Sequence, residues 1–347
     1  MQVKPNIRHI NSAQLREHLI SLGEKPFRAR QIEDWLWRKG VHHFGSMTDI
    51  SKSLQEQLIA HFELLPLQED ITQVSHIDKT IKIRFMTHDG HKLESVLIPT
   101  PTQALLTACV SSQIGCSLTC KFCATGKMER LRNLYADEIF DQFHLINLQS
   151  IKHFQKPLTN VVYMGMGEPL LNYSNVISSI NRISQYGEFG FSPKRITVST
   201  AGIVKMIRKL GEDEVKFNLA LSLHAANDEK RSAIMPINDT NTLQALVKAL
   251  HFFYNKTGNK ITLEYILLNN FNDDIQDAKE LIKFAQQLPC KINIIEYNNI
   301  GDDQFESSQE YKLDKFVKTL TLHNITVNVR RSRGKDIDAA CGQLANK

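Results

Sequence analysis

The chain has 347 residues, of which 42% are hydrophobic and 23% are charged, and these ordinary globular values argue against a disordered or fibrous protein. No run approaches the roughly 18 apolar residues of a membrane span. Lys and Arg outnumber Asp and Glu by 42 to 37, and the resulting net charge of +5 permits a nucleic-acid partner without indicating one.

The first residues, MQVKPNIRHI, lack the apolar core of a signal peptide. We therefore expect a cytoplasmic protein without a membrane partner, in which the six cysteines stay reduced. In that compartment a tight cysteine cluster indicates a metal or redox site instead of a disulfide framework. The length suggests one large domain with a smaller appendage.

Residues 1–65 are predicted to form a helical accessory domain. Ser12 is the expected cap of the first helix, Pro26 opens the second, and Gly40 is an expected stop. Apolar residues at helical spacing mark the three helices: Leu15, Leu19 and Leu22; Ile32, Trp35 and Leu36; and Leu54, Leu58, Ile59 and Phe62.

Residues 66–100 change to the period of a strand. Ile81, Ile83 and Phe85 alternate with polar residues, and Asp89-Gly90 then turns the chain into KLESVLIP. This pattern predicts a β-hairpin that links the helical domain to the rest of the chain.

Residues 101–347 alternate between short apolar strands and helices. The expected strands are ALLTACV, NVVYMGM, RITVST, KFNLALSL, ITLEYILL, KINIIEY and ITVNV, and the expected helices lie near 136–153, 172–186, 202–210, 241–256, 276–288 and 309–323. The alternation predicts an α/β fold with a parallel sheet. Six or seven such units favour a barrel or partial barrel over an open doubly wound sheet.

The segment CSLTCKFC places Cys116, Cys120 and Cys123 within eight residues, directly after the first of these strands. Chemistry in α/β folds collects at the carboxyl ends of strands. Three thiolates there could hold three irons of a four-iron cluster and leave the fourth iron open to an exchangeable ligand. A zinc site would need one more ligand, for which His144 and His153 are the nearest downstream candidates.

With Phe122 before its last cysteine, this segment resembles the signature of radical S-adenosylmethionine (SAM) enzymes. The resemblance implies one [4Fe-4S] cluster whose open iron is chelated by the amino and carboxylate groups of SAM. It also implies one-electron cleavage of SAM to a 5′-deoxyadenosyl radical, and a partial (β/α)6 barrel as the fold.

Further segments, in order MGMGEPLLN, ITVSTAG, LSLHA, MPIND, EYN and RRSRGKDIDAACGQL, resemble the radical SAM adenine-C-methyltransferases of the RlmN type over about residues 70–347. The resemblance implies methylation of carbon 2 of adenine in large-subunit (23S) rRNA and in tRNA, with an electron donor such as flavodoxin. Cfr-type relatives, which methylate carbon 8, are the nearest alternative, although GMGEPLLN favours the carbon-2 group. A non-catalytic RNA-binding protein with a structural zinc is an alternative of another class.

The same resemblance assigns SAM contacts to the ends of successive strands. Gly167 and Glu168 in GMGEP correspond to the residues that bind the amino end of SAM. The other implied contacts are Ser199, Ser222, Leu223, His224 and Asn298. Taken alone, GMGEP is typical of a tight turn, and each of the other residues is typical of a cap or a core position.

Cys341, in DAACGQL, corresponds to the cysteine that carries the methyl group as S-methylcysteine. In this family one SAM methylates that sulfur and a second SAM supplies the radical, so that covalent catalysis divides one difficult step into two. Cys109 corresponds to the cysteine that forms a transient disulfide with Cys341, and Glu94 to the proton acceptor. Without the resemblance, Cys109 reads as a cysteine packed in a strand and Glu94 as a solvated edge residue. Cys290 matches nothing and is expected in the core.

Basic residues form three groups that are candidates for RNA contact. They are Lys25, Arg28, Arg30, Arg38 and Lys39; Lys127, Arg130 and Arg132; and Arg330, Arg331, Arg333 and Lys335. Charge runs are usually solvated faces, but the last two groups flank the proposed chemistry, so we expect salt-dependent phosphate contacts. Trp35 and Trp37 are expected in the core and at an interface.

Overall fold

The computed structural model describes residues 4–302 and 304–346. The helices are α1 (Ser12–Ser21), α2 (Phe27–Glu33), α3 (Lys52–His61), α4 (Ala136–Phe154), α5 (Tyr173–Ser184), α6 (Val204–Glu212), α7 (Asp228–Ile234), α8 (Leu243–Thr257), α9 (Ile275–Ala285) and α10 (Glu310–Leu322). The strands are β1 (Gln68–Val74), β2 (Ile81–Met86), β3 (Lys92–Thr100), β4 (Leu105–Cys109), β5 (Gln113–Ile114), β6 (Arg132–Asn133), β7 (Asn160–Tyr163), β8 (Ile196–Thr200), β9 (Asn218–Ser222), β10 (Ile261–Leu267), β11 (Cys290–Glu296) and β12 (Val327–Arg330). None of the helices in these two ranges combines the length and apolar character that a membrane crossing needs.

Ten strands form one sheet in the order β1-β2-β3-β4-β7-β8-β9-β10-β11-β12. Strands β1 to β4 pair antiparallel, whereas β4 and β7 to β12 pair parallel with helices between them. Because β1 and β12 lie at opposite edges, the sheet does not close and the barrel is partial. The parallel strands with helices between them confirm the predicted α/β fold. The carboxyl ends of the parallel strands meet at one rim, where side chains after each strand can converge.

The predicted hairpin is confirmed as β2 and β3, with Phe85 opposite Leu93. It also continues the barrel sheet, because β3 pairs antiparallel with β4 and places Val96 opposite Cys109. The sequence did not predict β1, whose residues are all exposed, or the short helix α7. The two-residue strands β5 and β6 were also missed; they pair on either side of the cysteine segment.

One cap in the helical front part differs from the prediction. Asn11, not Ser12, caps α1: its side chain accepts from the backbone N–H of Gln14, and the Gln14 side chain accepts from the N–H of Asn11. This reciprocal capping box satisfies two backbone donors that a helix start leaves unpaired. Ser12 is instead the first helical residue, and its hydroxyl donates to Glu33 at 2.5 Å.

The front part packs on α4 through a buried charge cluster. Arg8 Nη1 lies 2.6 Å from Asp141 Oδ1, and Arg8 Nη2 lies 3.3 Å from Asp137 Oδ2. Beside this cluster, the ring of Trp37 meets Phe140 edge-on with centroids 5.4 Å apart, which confirms Trp37 as an interface residue. Trp35 is only partly buried, and Lys39 Nζ lies 3.3 Å above its ring.

Candidate active site

The three clustered cysteines lie on one loop, between β5 and β6. Gly126 allows the loop to pack closely on itself, because a Cβ at this position would lie 2.7 Å from the carbonyl oxygen of Cys120. The side chains of Cys116, Cys120 and Cys123 reach a cavity that opens to solvent at the rim of the barrel. The strand order thus brings the cluster to the edge where the sequence predicted it.

Burial makes these thiols poor anions in the absence of a bound cation. It raises the pKa of Cys116 to about 11, and it raises the pKa of Cys120 and Cys123 as well. At Cys120, mutual repulsion with Cys123 and Cys116 raises the pKa further. A cationic centre would offset both costs, because a coordinating thiol is deprotonated by the metal's charge.

The spacing of the sulfur atoms favours a cluster over a single zinc ion. Across residues 4–302 and 304–346, the one group of three acidic, histidine or cysteine ligand atoms that all lie within 4.8 Å of one another is His88, Asp89 and Glu138. At least one pair of the three cysteine sulfurs is therefore more than 4.8 Å apart, whereas two thiolates on one tetrahedral zinc lie about 3.8 Å apart, given bonds of about 2.3 Å. A cluster in which each cysteine binds a different iron fits this spread.

Neither histidine considered for zinc lines the cavity of the cysteines. His144 Nδ1 lies 3.0 Å from the Tyr186 hydroxyl, and its ring stacks on Phe140 beneath the front domain. Burial, followed by the neighbouring His42, lowers the pKa of His144 to about 4, so the imidazole is neutral. It belongs to the interface between the two parts of the chain. His153 is exposed near the end of α4.

The GMGEP segment follows β7 and forms one wall of the same cavity. Gly167 has a φ of 91°, and a Cβ there would lie 2.4 Å from Gln113 Cβ, so only glycine fits. The buried Glu168 carboxylate accepts from the backbone N–H of Ala201 at 2.8 Å and of Leu170 at 3.0 Å. Burial still raises the pKa of Glu168, so a cationic group in the cavity would stabilise its ionised form.

Three more of the predicted SAM contacts lie on this wall: Ser199, Ser222 and His224. His224 has a φ of 57°, its Nδ1 accepts from the N–H of Ile266 at 3.0 Å, and its ring meets Phe122 edge-on at 4.7 Å. Because Nδ1 accepts, the ring proton lies on Nε2. Burial, followed by Arg231, lowers the pKa of His224 to about 3, so the imidazole is neutral.

Leu223 and Asn298 lie next to this cavity but do not line it. Leu223 is fully buried, and its N–H donates to the carbonyl of Glu264 at 3.0 Å. Asn298 Nδ2 donates to the carbonyl of Cys341 at 3.4 Å. The structure thus brings Gly167, Glu168 and the three rim residues together, and gives Asn298 a contact with the Cys341 backbone.

Cys341 lies on a wall shared by two cavities. One is the cavity of the clustered cysteines, and the other is also lined by Cys109, Arg330, Arg331 and Arg333. Cys341 is accessible within these cavities although protein surrounds it. The structure therefore brings Cys109 and Cys341 to one cavity, 232 positions apart in the chain.

All six cysteines of the chain are free thiols in the structure. Burial, followed by repulsion from Cys341, raises the pKa of Cys109 to about 12. Burial also raises the pKa of Cys341, while the charge of Arg330 opposes that rise. Arg330 is the cation placed to stabilise a thiolate here.

Two charged residues of the site were not predicted from the sequence. Glu264, on β10, lines the cavity of the clustered cysteines; its Oε1 accepts from Asn293, and its buried Oε2 has no hydrogen-bond partner among the described residues. Arg231 is fully buried and donates to the carbonyls of Ala201, Ser222 and Leu223, which fixes the ends of β8 and β9. The available signal for Glu264 was a carboxylate inside the apolar run ITLEYILL.

Glu94 is fully buried on β3 and is absent from the residues that line either cavity. Its Oε2 accepts from the backbone N–H groups of Ala345 and Asn346, and its Oε1 lies 3.4 Å from Lys82 Nζ. Glu94 is thus neither solvated nor open to the cavities, and it contacts the segment that carries Cys341.

Comparisons with known proteins give consistent matches over the chain. Residues 5–64 match the family described as "Ribosomal RNA large subunit methyltransferase N-terminal domain", and residues 110–285 match the "Radical SAM superfamily". A "Probable dual-specificity RNA methyltransferase RlmN" from Cytophaga hutchinsonii is 53% identical over 99% of this chain and 93% of its own length. A "Dual-specificity RNA methyltransferase RlmN" from Anaeromyxobacter is 41% identical over 99% of this chain and 91% of its own.

A solved structure agrees in fold over nearly the whole chain. The crystal structure of a radical SAM methyltransferase from Sphaerobacter thermophilus superposes with a TM-score of 0.91 at 36% identity, covering 99% of this chain and 100% of that one. The agreement includes the helical front part as well as the partial barrel. The fold described above is therefore shared with an experimentally determined relative.

Proposed function

The chain belongs to the RlmN family of radical SAM RNA methyltransferases, and from that premise we propose that it methylates carbon 2 of adenine in 23S rRNA and in tRNA. One observation carries the proposal: Cys341 lies between a cavity that holds the three clustered cysteines and a second cavity lined by three arginines. A methyl carrier that serves a donor on one side and an RNA base on the other needs this position.

The residues present fit one [4Fe-4S] cluster and SAM. Cys116, Cys120 and Cys123 would hold three irons, while the cavity beside them has room for a ligand on the fourth iron. Gly167, Glu168, Ser199, Ser222 and His224 would line the SAM site, with Leu223 and Asn298 behind them. When bound, SAM and the cluster supply the methyl group and the one-electron chemistry.

The role proposed for Cys341 is to carry the methyl group as S-methylcysteine, once per turnover that consumes two SAM molecules. Its thiol must lose a proton before it becomes a nucleophile. Arg330 supports this step, because its positive charge favours the thiolate of Cys341 against the cost of burial. Carbonyl oxygens of the segment are held by Asn298 and by the loop of the clustered cysteines, so the sulfur keeps its position.

Cys109 is proposed to release the product: its thiolate attacks the Cys341 sulfur, the bond from that sulfur to the RNA-bound carbon breaks, and the carbon takes up a proton to become the methyl group. The transient Cys109–Cys341 disulfide that remains is later reduced by cellular thiols. Both residues line the second cavity, which supports the pairing. The thiol of Cys109 is protonated at neutral pH because its pKa lies near 12, so it attacks only after losing a proton. Glu94 remains the proposed proton acceptor, although its carboxylate is bound to other groups in this conformation.

Nucleoside analysis tests the chemistry of the product. A strain without this protein should lose 2-methyladenosine from 23S rRNA and tRNA; loss of 8-methyladenosine would instead identify a carbon-8 enzyme of the Cfr type. Protein purified without oxygen should carry iron and sulfide. Colourless protein with stoichiometric zinc would contradict the radical mechanism and support a zinc-containing RNA-binding protein.

A further inference from the structure

We propose that Glu94 is a positioning residue that holds the segment carrying Cys341 (residues 341–346) against the barrel. Oε2 of Glu94 accepts from the backbone N–H of Ala345 at 2.9 Å and from that of Asn346 at 3.1 Å. Since both donors are backbone groups, the contact fixes the course of the chain and depends little on which side chains the segment carries.

The carboxylate is itself held in place from the barrel side. Glu94 lies near the start of β3, and the β2 and β3 strands place Lys82 Nζ 3.4 Å from its Oε1. The side chains of both residues are almost fully buried. The oxygen that accepts the two amides therefore belongs to a side chain that the barrel holds in a fixed position.

The hydrogen bonds that join the Cys341 segment to the cysteine loop have neutral carbonyl oxygens as acceptors. Ala124 N–H donates to the carbonyl of Gly342 at 2.7 Å, and the Thr125 hydroxyl donates to that of Leu344 at 2.6 Å. Among the described residues, Glu94 is the one carboxylate that receives backbone N–H groups from this segment. Its loss should therefore weaken docking more than the loss of any other single contact.

This role is distinct from that of a proton acceptor. While the segment is docked, one oxygen of Glu94 accepts two N–H groups and the other faces Lys82, so neither oxygen is open to a substrate proton. A base needs the carboxylate, whereas holding the segment needs only an acceptor oxygen. Glu94→Gln keeps such an oxygen and Glu94→Ala does not, so this pair of variants separates the two roles.

The test measures how fast iodoacetamide alkylates Cys341 in the purified full chain. Trypsin places Cys341 in the peptide DIDAACGQLANK and Cys290 in FAQQLPCK, so mass spectrometry follows each thiol separately. We expect Glu94→Ala to speed alkylation of Cys341 roughly tenfold or more, because two hydrogen bonds to the segment's backbone are lost. Glu94→Gln should stay within about threefold of the unaltered protein.

Cys290, at the start of β11, reports general unfolding in the same samples, and its rate should not change. Ala345→Pro provides a second test from the other partner: it removes one N–H donor and leaves the buried pair of Glu94 and Lys82 intact. It should speed alkylation of Cys341 severalfold. An unchanged Cys341 rate in Glu94→Ala and Ala345→Pro would overturn the proposal.

The proposal rests on the proposed function only in assigning importance to the position of Cys341. Alkylation does not require methyl transfer, so the result stands even if the RNA product is a different one. In turnover assays both Glu94→Gln and Glu94→Ala should lose activity, because both remove the proposed proton acceptor, so the alkylation rate of Cys341 is the readout that separates the two roles. Equal loss in both variants, with Cys341 equally protected, would overturn the positioning role and leave the proton-acceptor role.

Discussion

The guanidinium of Arg330 lies 3.7 Å from the carboxylate of Glu264, and the pair links the two cavities on either side of Cys341. Burial disfavours the charge on Arg330, but Glu264 and then Cys341 and Cys109 raise its pKa, so it stays protonated. Glu264 is fixed in turn by Asn293 on β11, whose side chain accepts from Asn328 on β12. A row of polar side chains across three strands thus holds a cation in the cavity that Cys109 and Cys341 share.

Replacing Arg330 by Met should raise the pKa of Cys341. Arg330 lowers that pKa against the effect of burial, so without its charge the thiolate becomes less stable. At any pH below the pKa, each unit of increase reduces the thiolate fraction about tenfold. The pH profile of Cys341 alkylation should therefore move to higher pH.

Arg331→Met is the matched control for that measurement. Arg331 is the next residue, but its side chain is 54% exposed and pairs with Glu296 and Glu310. The Arg331→Met variant should leave the pH profile of Cys341 alkylation unchanged. Superimposable profiles for Arg330→Met and the unaltered protein would show that Arg330 does not act on this thiol.

Replacing Asp141 by Asn should destabilise the contact between the front domain and the barrel. The change leaves the buried Arg8 with Asp137 alone, and breaking a buried ion pair costs about 3–5 kcal/mol. Both tryptophans of the chain lie in this front domain, so their fluorescence during urea unfolding reports the change. Asp34→Asn removes an exposed pair with Arg38 and should cost less than about 1 kcal/mol.

The buried pair of Arg8 and Asp141 should make the contact between the front domain and the barrel sensitive to acid. Burial opposes the ionisation of Asp141, but Arg8 and His42 outweigh it and hold the pKa below its usual range. A carboxylate with a depressed pKa stabilises the fold fully above its unfolded-state pKa, near 4, and less as the pH falls through the folded-state value. The stability of the unaltered protein should decline below about pH 4. The stability of Asp141→Asn should decline less steeply over the same range. Parallel pH dependences would contradict this assignment.

Replacing Cys109 by Ala should trap the RNA on the protein. Without the thiol that is proposed to attack Cys341, methyl transfer and addition to RNA should proceed, but the covalent adduct should not be resolved. The adduct should migrate as a slower band in a denaturing gel. Cys290→Ala, which removes a thiol outside both cavities, should turn over normally. Normal turnover by Cys109→Ala would refute the resolving role.

Arg333 should contribute to RNA binding through phosphate contact. It lines the second cavity and, within the described residues, takes part in no ion pair, unlike Arg331. Arg333→Gln should reduce the slope of log affinity against log salt concentration by about one. Arg208→Gln, which alters an exposed residue on α6, should leave the slope unchanged. An unchanged slope for Arg333→Gln would exclude a phosphate contact.

The parallel sheet and its helices could be predicted because apolar strands such as NVVYMGM and KFNLALSL alternate with amphipathic helices. The position of the cysteine loop followed from the same pattern, since it comes directly after a strand. The antiparallel strand β1 could not be predicted, because QEDITQV is exposed along its whole length and has no buried face to impose alternation. Strands β5 and β6 are two residues each, too short for any periodicity.

The contacts around Glu94 and Cys341 could not be predicted from the sequence, for a different reason. Alternation placed Glu94 on a strand, but its partners are backbone amides about 250 residues later, and backbone donors leave no trace in residue types. The Arg330–Glu264 pair likewise depends on the register between β10, β11 and β12. Side chains that share a rim could be predicted from topology, whereas their individual partners could not.

The hydrogen bonds from Ala124 and Thr125 to the Cys341 segment join two parts of the site that have separate tasks. Both donors lie immediately after Cys123, on the loop whose sulfurs are candidates for iron ligands. By thermodynamic reciprocity, any ligand that orders this loop strengthens docking of the segment by the same factor by which docking strengthens binding of the ligand. Ligand binding to the loop and docking of the segment are then coupled equilibria. In protein without an inorganic cluster on this loop, Cys341 should therefore occupy its docked position for a smaller fraction of the time.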